Sequence, residues 1–246
     1  MSKTALITGA AKRIGKEIAL HLAAEGWNIA IHYNKSEKEA TELYKSLCIK
    51  YPEQEFDLFQ ADLQNPLAAE RLVPEVCKVM PKLSLLINNA SIFIQSSLLN
   101  SPFDLIEQTM QINYIAPMLL TRDFGRCVEH GNVINLNDTR ITGNKADYAA
   151  YTLSKKGLWE LTKMAALEFA PQIRVNSIAL GTIIPPEGKG EDYLNKLAEK
   201  IPMNENASVS EVLKTLNFIL ASNHLTGQQI FCDGGRQLGK VYEYRD

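Results

Sequence analysis

Short apolar runs alternate with stretches of helical spacing along almost the whole chain. Thr4-Ala5-Leu6-Ile7-Thr8 is a run short enough for a buried strand, and Ile14, Ile18 and Leu22 then recur at helical intervals up to Gly26, a glycine placed to end a helix. The same alternation predicts strands at 28–33, 56–61, 83–87, 132–136, 174–178 and 229–231. Between them it predicts helices at 36–49, 67–79, 104–125 (broken around Asn113 and Pro117), 148–169 and near 210–221. Strands that read as nearly continuous apolar runs are buried on both faces, as in parallel sheets. The expected fold is therefore α/β: a doubly wound Rossmann arrangement, one seven-stranded parallel sheet with helices on both faces, in a single domain spanning 1–246. Ligands of such sheets bind beyond the carboxyl ends of the strands. A long insertion at about 182–204, with Pro185, Pro186, Gly188 and Gly190, reads as a substrate loop, because structureless loops of that length are uncommon unless they cover a site.

Composition narrows the function by exclusion. The 246 residues are 46% hydrophobic and 22% charged, with a net charge of −2, which gives no electrostatic reason to expect nucleic acid or an anionic membrane as partner. Cys48, Cys77, Cys127 and Cys232 form no C-x-x-C pair and the four histidines are scattered, so no metal site is expected. With no signal-like or bilayer-length apolar run, a cytoplasmic protein is expected.

Candidate chemistry falls at the carboxyl ends of the strands. Thr8-Gly9-Ala10-Ala11-Lys12-Arg13-Ile14-Gly15 is a glycine-containing strand-to-helix turn, able to present free N–H groups to a phosphate or simply to turn tightly. Arg13 stands where dinucleotide turns usually carry another glycine. The second strand ends His32-Tyr33-Asn34-Lys35-Ser36, without the carboxylate that binds a ribose hydroxyl in NAD sites. Arg13, Lys35 and Ser36 suit a 2′-phosphate instead, which favours NADPH, although Lys35 is equally a solvated surface lysine. Asp62-Leu63 closes the third strand, with Asp62 a partner for adenine or a helix cap. Asn88-Asn89-Ala90-Ser91 leaves the fourth. Tyr151 and Lys155, four apart on a helix, share a face, and an ammonium there lowers the pKa of a phenol.

Together these motifs resemble the short-chain dehydrogenase/reductase family: Thr8–Gly15, Asp62, Asn88–Ala90, Asn113, Tyr151–Lys155, Arg174–Ile178 and Asp233-Gly234-Gly235 stand in its order and spacing. The resemblance implies that Gly9, Lys12, Arg13, Ile14, Gly15, Tyr33, Asn34, Lys35, Ser36, Asp62, Leu63, Asn89, Ala90, Ser91, Gly181 and Thr182 bind the cofactor. It implies that Tyr151 exchanges the proton, that Lys155 tunes it and holds the nicotinamide ribose, and that Asn113 holds a relay water. It also implies a homotetramer, for which Ala149, Ala150, Leu153, Leu158 and Leu161 are candidate contacts or, equally, the face packed on the sheet. Two positions depart from the family. Leu180 replaces a proline, and Asp138 stands where a substrate-binding serine is expected. An ionised carboxylate accepts hydrogen bonds and donates none, which suits a substrate rich in N–H groups. Asp138, Arg13, His32-Tyr33 and Phe93 resemble the pteridine reductase branch, including dihydromonapterin reductases. That branch implies a pterin or folate substrate contacted by Arg13, Ser91, Phe93, Asp138 and Tyr151. Phe93 also fits a core aromatic, and Asp138 a salt bridge to Arg140 or a turn cap. A carbonyl reductase and a non-catalytic NADPH-binding redox sensor are the alternatives.

Overall fold

In the computed structural model, residues 3–144, 146–185, 188, 190–199 and 201–239 are described. Seven parallel strands form one sheet: β1 (Thr4–Ile7), β2 (Asn28–Tyr33), β3 (Phe56–Gln60), β4 (Leu83–Asn88), β5 (Gly131–Asp138), β6 (Ile173–Leu180) and β7 (Gln229–Cys232), in spatial order β3-β2-β1-β4-β5-β6-β7. Successive strand residues point to opposite faces. Ile7, Ile31, Ile87 and Ile134 enter one core, with α1 (Arg13–Ala24), α2 (Glu37–Lys50) and α8 (Val209–Ala221). Their neighbours Leu6, Ala30, Leu86 and Val133 enter the other, with α3 (Pro66–Val79), α5 (Ala116–Cys127) and α6 (Ala149–Phe169). That two-sided burial is why the strands read as unbroken apolar runs. Each fully buried Leu or Ile side chain contributes about 1.5–3 kcal/mol.

The chain order reverses direction between β1 and β4, so the segments leaving those two strands diverge and open a crevice at their carboxyl ends. The expected break near Asn113 takes a milder form. Between α4 (Phe103–Met110) and α5 lies a π-helical turn, Gln111–Ile115, and the helix continues through it. The expected loop at 182–204 needs correction, because it contains a helix, α7 (Glu191–Ala198). Leu194, Leu197 and Ala198 are half-buried along it, a spacing too brief to stand out against the Pro and Gly residues before it. Pro186 lies outside the described residues. Among them, no helix is long and apolar enough to cross a membrane.

Candidate active site

The crevice is a cleft of about 830 Å³ whose walls include residues from the ends of β1, β2, β4, β5 and β6. On one side lies the turn after β1. Gly9 has φ +64°, a left-handed conformation natural to glycine. Arg13 has φ +53°, which explains why that position is commonly glycine and marks a strained backbone here. At Gly15, a Cβ would stand 2.3 Å from the Gly9 carbonyl and 2.6 Å from Asn89 Nδ2, so only glycine lets α1 pack this closely on the turn.

The turn is held from two directions. Gly9 N–H donates to His32 Nδ1 at 3.0 Å, which makes Nε2 the protonated ring nitrogen, and Nε2 donates to the Ala61 carbonyl at 3.1 Å. His32 is buried, and burial pushes its pKa down to about 4, against the Ala61 bond and the Asp62 charge. From β4, Asn89 Nδ2 donates to the carbonyls of Thr8 at 2.7 Å and Gly9 at 3.2 Å, while Thr8 Oγ1 accepts from the amides of Asn89 and Ala90 at 2.9 Å each. A pinched, left-handed glycine turn feeding a helix start fits a dinucleotide diphosphate.

Most of the expected cofactor residues meet in this cleft: Gly9, Lys12, Arg13, Ile14 and Gly15 from the turn, Tyr33, Asn34, Lys35 and Ser36 from β2, Asp62, Asn89, Ala90 and Ser91, and Gly181 and Thr182 after β6. Leu63 stands outside its lining and is buried, its carbonyl accepting from Gln111 Nε2. Several have partners that sequence does not reveal. Lys12 Nζ pairs with Glu39 at 2.7 Å. Asn34 Nδ2 donates to Asp62 Oδ1, which also accepts the Gln64 amide; α3 is capped by Asn65, so Asp62 is not its N-cap. Thr182 Oγ1 accepts from Arg236 at 2.7 Å. Arg13 Nη2 reaches the carbonyls of Ile184 at 3.4 Å and Pro185 at 3.1 Å, holding the segment after β6 across the cleft.

At the other end of the cleft, Tyr151 Oη donates to Asp138 Oδ2 at 2.9 Å, and Asp138 Oδ1 accepts the Arg140 amide at 2.8 Å. Asp138 thus caps the 3-10 turn Thr139–Thr142 while facing Tyr151. Among the described residues it forms no ion pair with the Arg140 guanidinium. Lys155 Nζ donates to the Leu136 carbonyl at 2.9 Å. Burial holds its pKa at about 8, with the Asp138 charge acting upward. The expected lowering of the Tyr151 phenol is not found. Burial, then the Asp138 charge and hydrogen bond, raise its pKa well above the ordinary value, and Arg140 is the cation that opposes them.

Asn113 lies outside the cleft lining. Its Oδ1 accepts from the Ile92 amide at 2.9 Å and from Ser91 Oγ at 3.1 Å; its Nδ2 donates to the Ile92 carbonyl at 2.9 Å and to Ser154 Oγ at 3.3 Å. The side chain is saturated by the protein, so it clamps the 91–92 segment to α6 and leaves no side-chain position for a relay water. Phe93 is 46% exposed and lines the cleft, which rules out a core aromatic. Tyr148 stacks on Phe93, with centroids 4.4 Å apart and planes at 5°, while Tyr151 carries the bond to Asp138. His32, Thr8 and Arg140 were missed as site residues. Thr8 and His32 stand inside motifs that the sequence shows without disclosing their bonds, and the signal at Arg140 is a polar residue just past a strand's end.

The family model described as enoyl-(acyl carrier protein) reductase matches residues 9–237. The chain belongs to the short-chain dehydrogenase/reductase family, and it is an oxidoreductase. It is 29% identical to the 3-oxoacyl-[acyl-carrier-protein] reductase FabG of Staphylococcus epidermidis, over 96% of this chain and 99% of that one. It is 30% identical to pteridine reductase 1 of Leishmania tarentolae, over 96% and 97%. Among solved structures, FolM alternative dihydrofolate reductase 1 from Brucella suis, in complex with NADP, superposes with a TM-score of 0.88 at 30% identity, covering 99% of this chain and 98% of that one.

Proposed function

We propose that this protein is an NADPH-dependent reductase of pterins, taking a dihydropteridine, dihydromonapterin or dihydrofolate to its tetrahydro form. Overall identity does not choose between acyl-thioester and pterin substrates, since the two kinds of relative are about equally similar. The observation that carries the choice is the Tyr151–Asp138 bond of 2.9 Å. A carbonyl reductase needs a second hydroxyl donor beside the tyrosine to polarise C=O. This chain offers a carboxylate there, which receives N–H groups.

NADP(H) is the cofactor. Gly9, Gly15 and the start of α1 would hold its diphosphate, Asn34, Lys35 and Ser36 its 2′-phosphate, and Lys155, whose ammonium has donors beyond the one given to Leu136, its nicotinamide ribose. The solved FolM relative contains NADP. When bound, the cofactor supplies the hydride. Phe93 offers a half-exposed aromatic face to a flat ring. Asp138 accepts N–H groups of the substrate and orients it. Tyr151 Oη gives its proton to the ring nitrogen, an acid made effective only when substrate and cofactor loosen the hold of Asp138. Helix α7 and the described residues between it and β6 close over the substrate and exclude water. The exposed apolar residues Leu153, Met164 and Leu167 along α6 support assembly into a tetramer.

The test is NADPH oxidation with dihydropterins and dihydrofolate beside a panel of ketones and 3-oxoacyl thioesters. Turnover of the first group and not the second is expected. Ketone turnover without pterin turnover would falsify the reading, and NADPH binding without any turnover would point to a redox sensor. Asp138→Ser is expected to lower pterin kcat/KM by about a hundredfold, the scale of a lost charge-assisted contact.

A further inference from the structure

The sequence offers Lys155 as the cation that acts on Tyr151, but the structure turns the Lys155 ammonium toward the Leu136 carbonyl, 5.9 Å from the Tyr151 ring centroid. A second cation stands nearby. Arg140 follows Asp138 on the 3-10 turn, and its guanidinium carbon is 4.3 Å from the Tyr148 centroid and 5.3 Å from that of Phe93. With Phe93 and Tyr148 4.4 Å apart, the three separations form a compact triangle. The guanidinium therefore rests against the flank of the stacked pair and does not extend the stack. Phe93 in turn meets Tyr151 edge-on at 4.7 Å. Among the described residues, Nη1 of Arg140 is buried with no hydrogen-bond partner.

We propose that Arg140 is a positioning residue for the proton transfer: its amide fixes Asp138, and its charge, held against Tyr148 and Phe93, offsets that of Asp138 at the Tyr151 hydroxyl. This rests on Tyr151 being the acid of the reaction. The geometry needs arginine in particular. A guanidinium is weakly hydrated and keeps its charge beside aromatic rings, where an ammonium presents a compact, strongly hydrated charge. The charge matters because Asp138, as the acceptor of the Tyr151 proton, resists giving it up. A nearby cation makes the phenol a stronger acid, by about tenfold for a unit charge several ångströms away at the effective dielectric of a protein. Among the described residues, the charges that act on the Tyr151 phenol are those of Asp138 and Arg140, and the charge that acts on Lys155 is that of Asp138.

The test is a double-mutant cycle, measured on whichever substrate the unchanged chain reduces. Failure of the pterin reading would show in the substrate panel and leave this cycle standing. Arg140→Met is expected to lower kcat about tenfold, with the NADPH dissociation constant, read by fluorescence, within twofold of the parent. In the Tyr151→Phe background the same substitution is expected to change the residual rate by less than twofold, because Arg140 acts through the phenol. Arg140→Lys, which keeps the charge without the guanidinium, is expected to recover part of the rate. Arg140→Gln, neutral and closer in shape, carries the same expectation as Arg140→Met if that variant does not fold. A tenfold loss that persists in the Tyr151→Phe background would show a merely structural role and overturn the proposal. Full activity of Arg140→Met would overturn it as well.

Discussion

The two ends of the cleft are built from the same strand edge by different means. At the cofactor end, His32, Thr8 and Asn89 tie the turn after β1 to main-chain groups of the turn itself and of β3 and β4, and His32 and Thr8 are buried. At the substrate end main-chain bonds hold Asp138 to the Arg140 amide and Lys155 to the Leu136 carbonyl, but contacts between side chains join them, Tyr151 to Asp138 and Phe93 to Tyr148, and Phe93 is half-exposed. Main-chain bonds in a buried setting leave one arrangement of low energy. Half-exposed side chains can be exchanged at small cost to the fold. In a family whose members share a cofactor chemistry, the first end fixes what is common and the second is free to vary in substrate.

The contrast breaks most sharply at Gly15 and Tyr151. Gly15→Ala would drive a methyl into the Gly9 carbonyl, so the turn must move. NADPH affinity is expected to fall by two orders of magnitude or more, on the order of 3 kcal/mol, as read by fluorescence titration. Tyr151→Phe is expected to lower kcat by about a thousandfold, the scale of a lost general acid, while NADPH binding stays within about twofold. Comparable losses of NADPH affinity in both variants would dissolve the distinction between the two ends.

A smaller effect comes from pH. His32 is neutral in the fold with a pKa of about 4, against 6.5 in an unfolded chain. Because its folded pKa is depressed, its contribution is complete above about pH 6.5 and is lost as pH falls toward about 4, since the unfolded chain takes up the proton first. A shift of that size corresponds to roughly 3 kcal/mol. Urea unfolding between pH 7 and 4 is expected to show this loss, and His32→Phe to remove its pH dependence while lowering stability at pH 7. An unchanged pH slope in His32→Phe would mean that the turn is not held by a neutral imidazole.

The same contrast explains what the sequence discloses. The sheet was legible because two-sided burial leaves unbroken apolar runs, and the turn was legible because Gly9 and Gly15 answer to backbone constraints that few residues satisfy. The Tyr151–Lys155 spacing was legible for the same kind of reason, helix geometry. Hidden were the features decided by which polar atom meets which. Nothing in the spacing shows Asn113 saturated by Ile92, Ser91 and Ser154, Lys155 turned to Leu136, or Arg140 resting on Tyr148. Helix α7 was hidden because its half-buried residues, Tyr193, Leu194, Leu197 and Ala198 among those described, span little more than a turn.

The mildest prediction concerns Phe93, where the substrate end should prove softest. The ring is 46% exposed and touches Tyr148 and Tyr151 through aromatic faces and edges alone. Replacing it with leucine keeps an apolar side chain and removes the stacking face, so stability should fall by less than about 1 kcal/mol, the usual cost of such a pair. A flat substrate loses its platform in both ground and transition states. With the proposed pterin as substrate, KM is therefore expected to rise about tenfold with kcat changed by less than threefold, which is how loss of uniform binding reads in steady-state kinetics. A fall in kcat with KM unchanged would instead place Phe93 behind Tyr151 as part of the proton-transfer wall. The substrate end would then share the rigidity of the cofactor end.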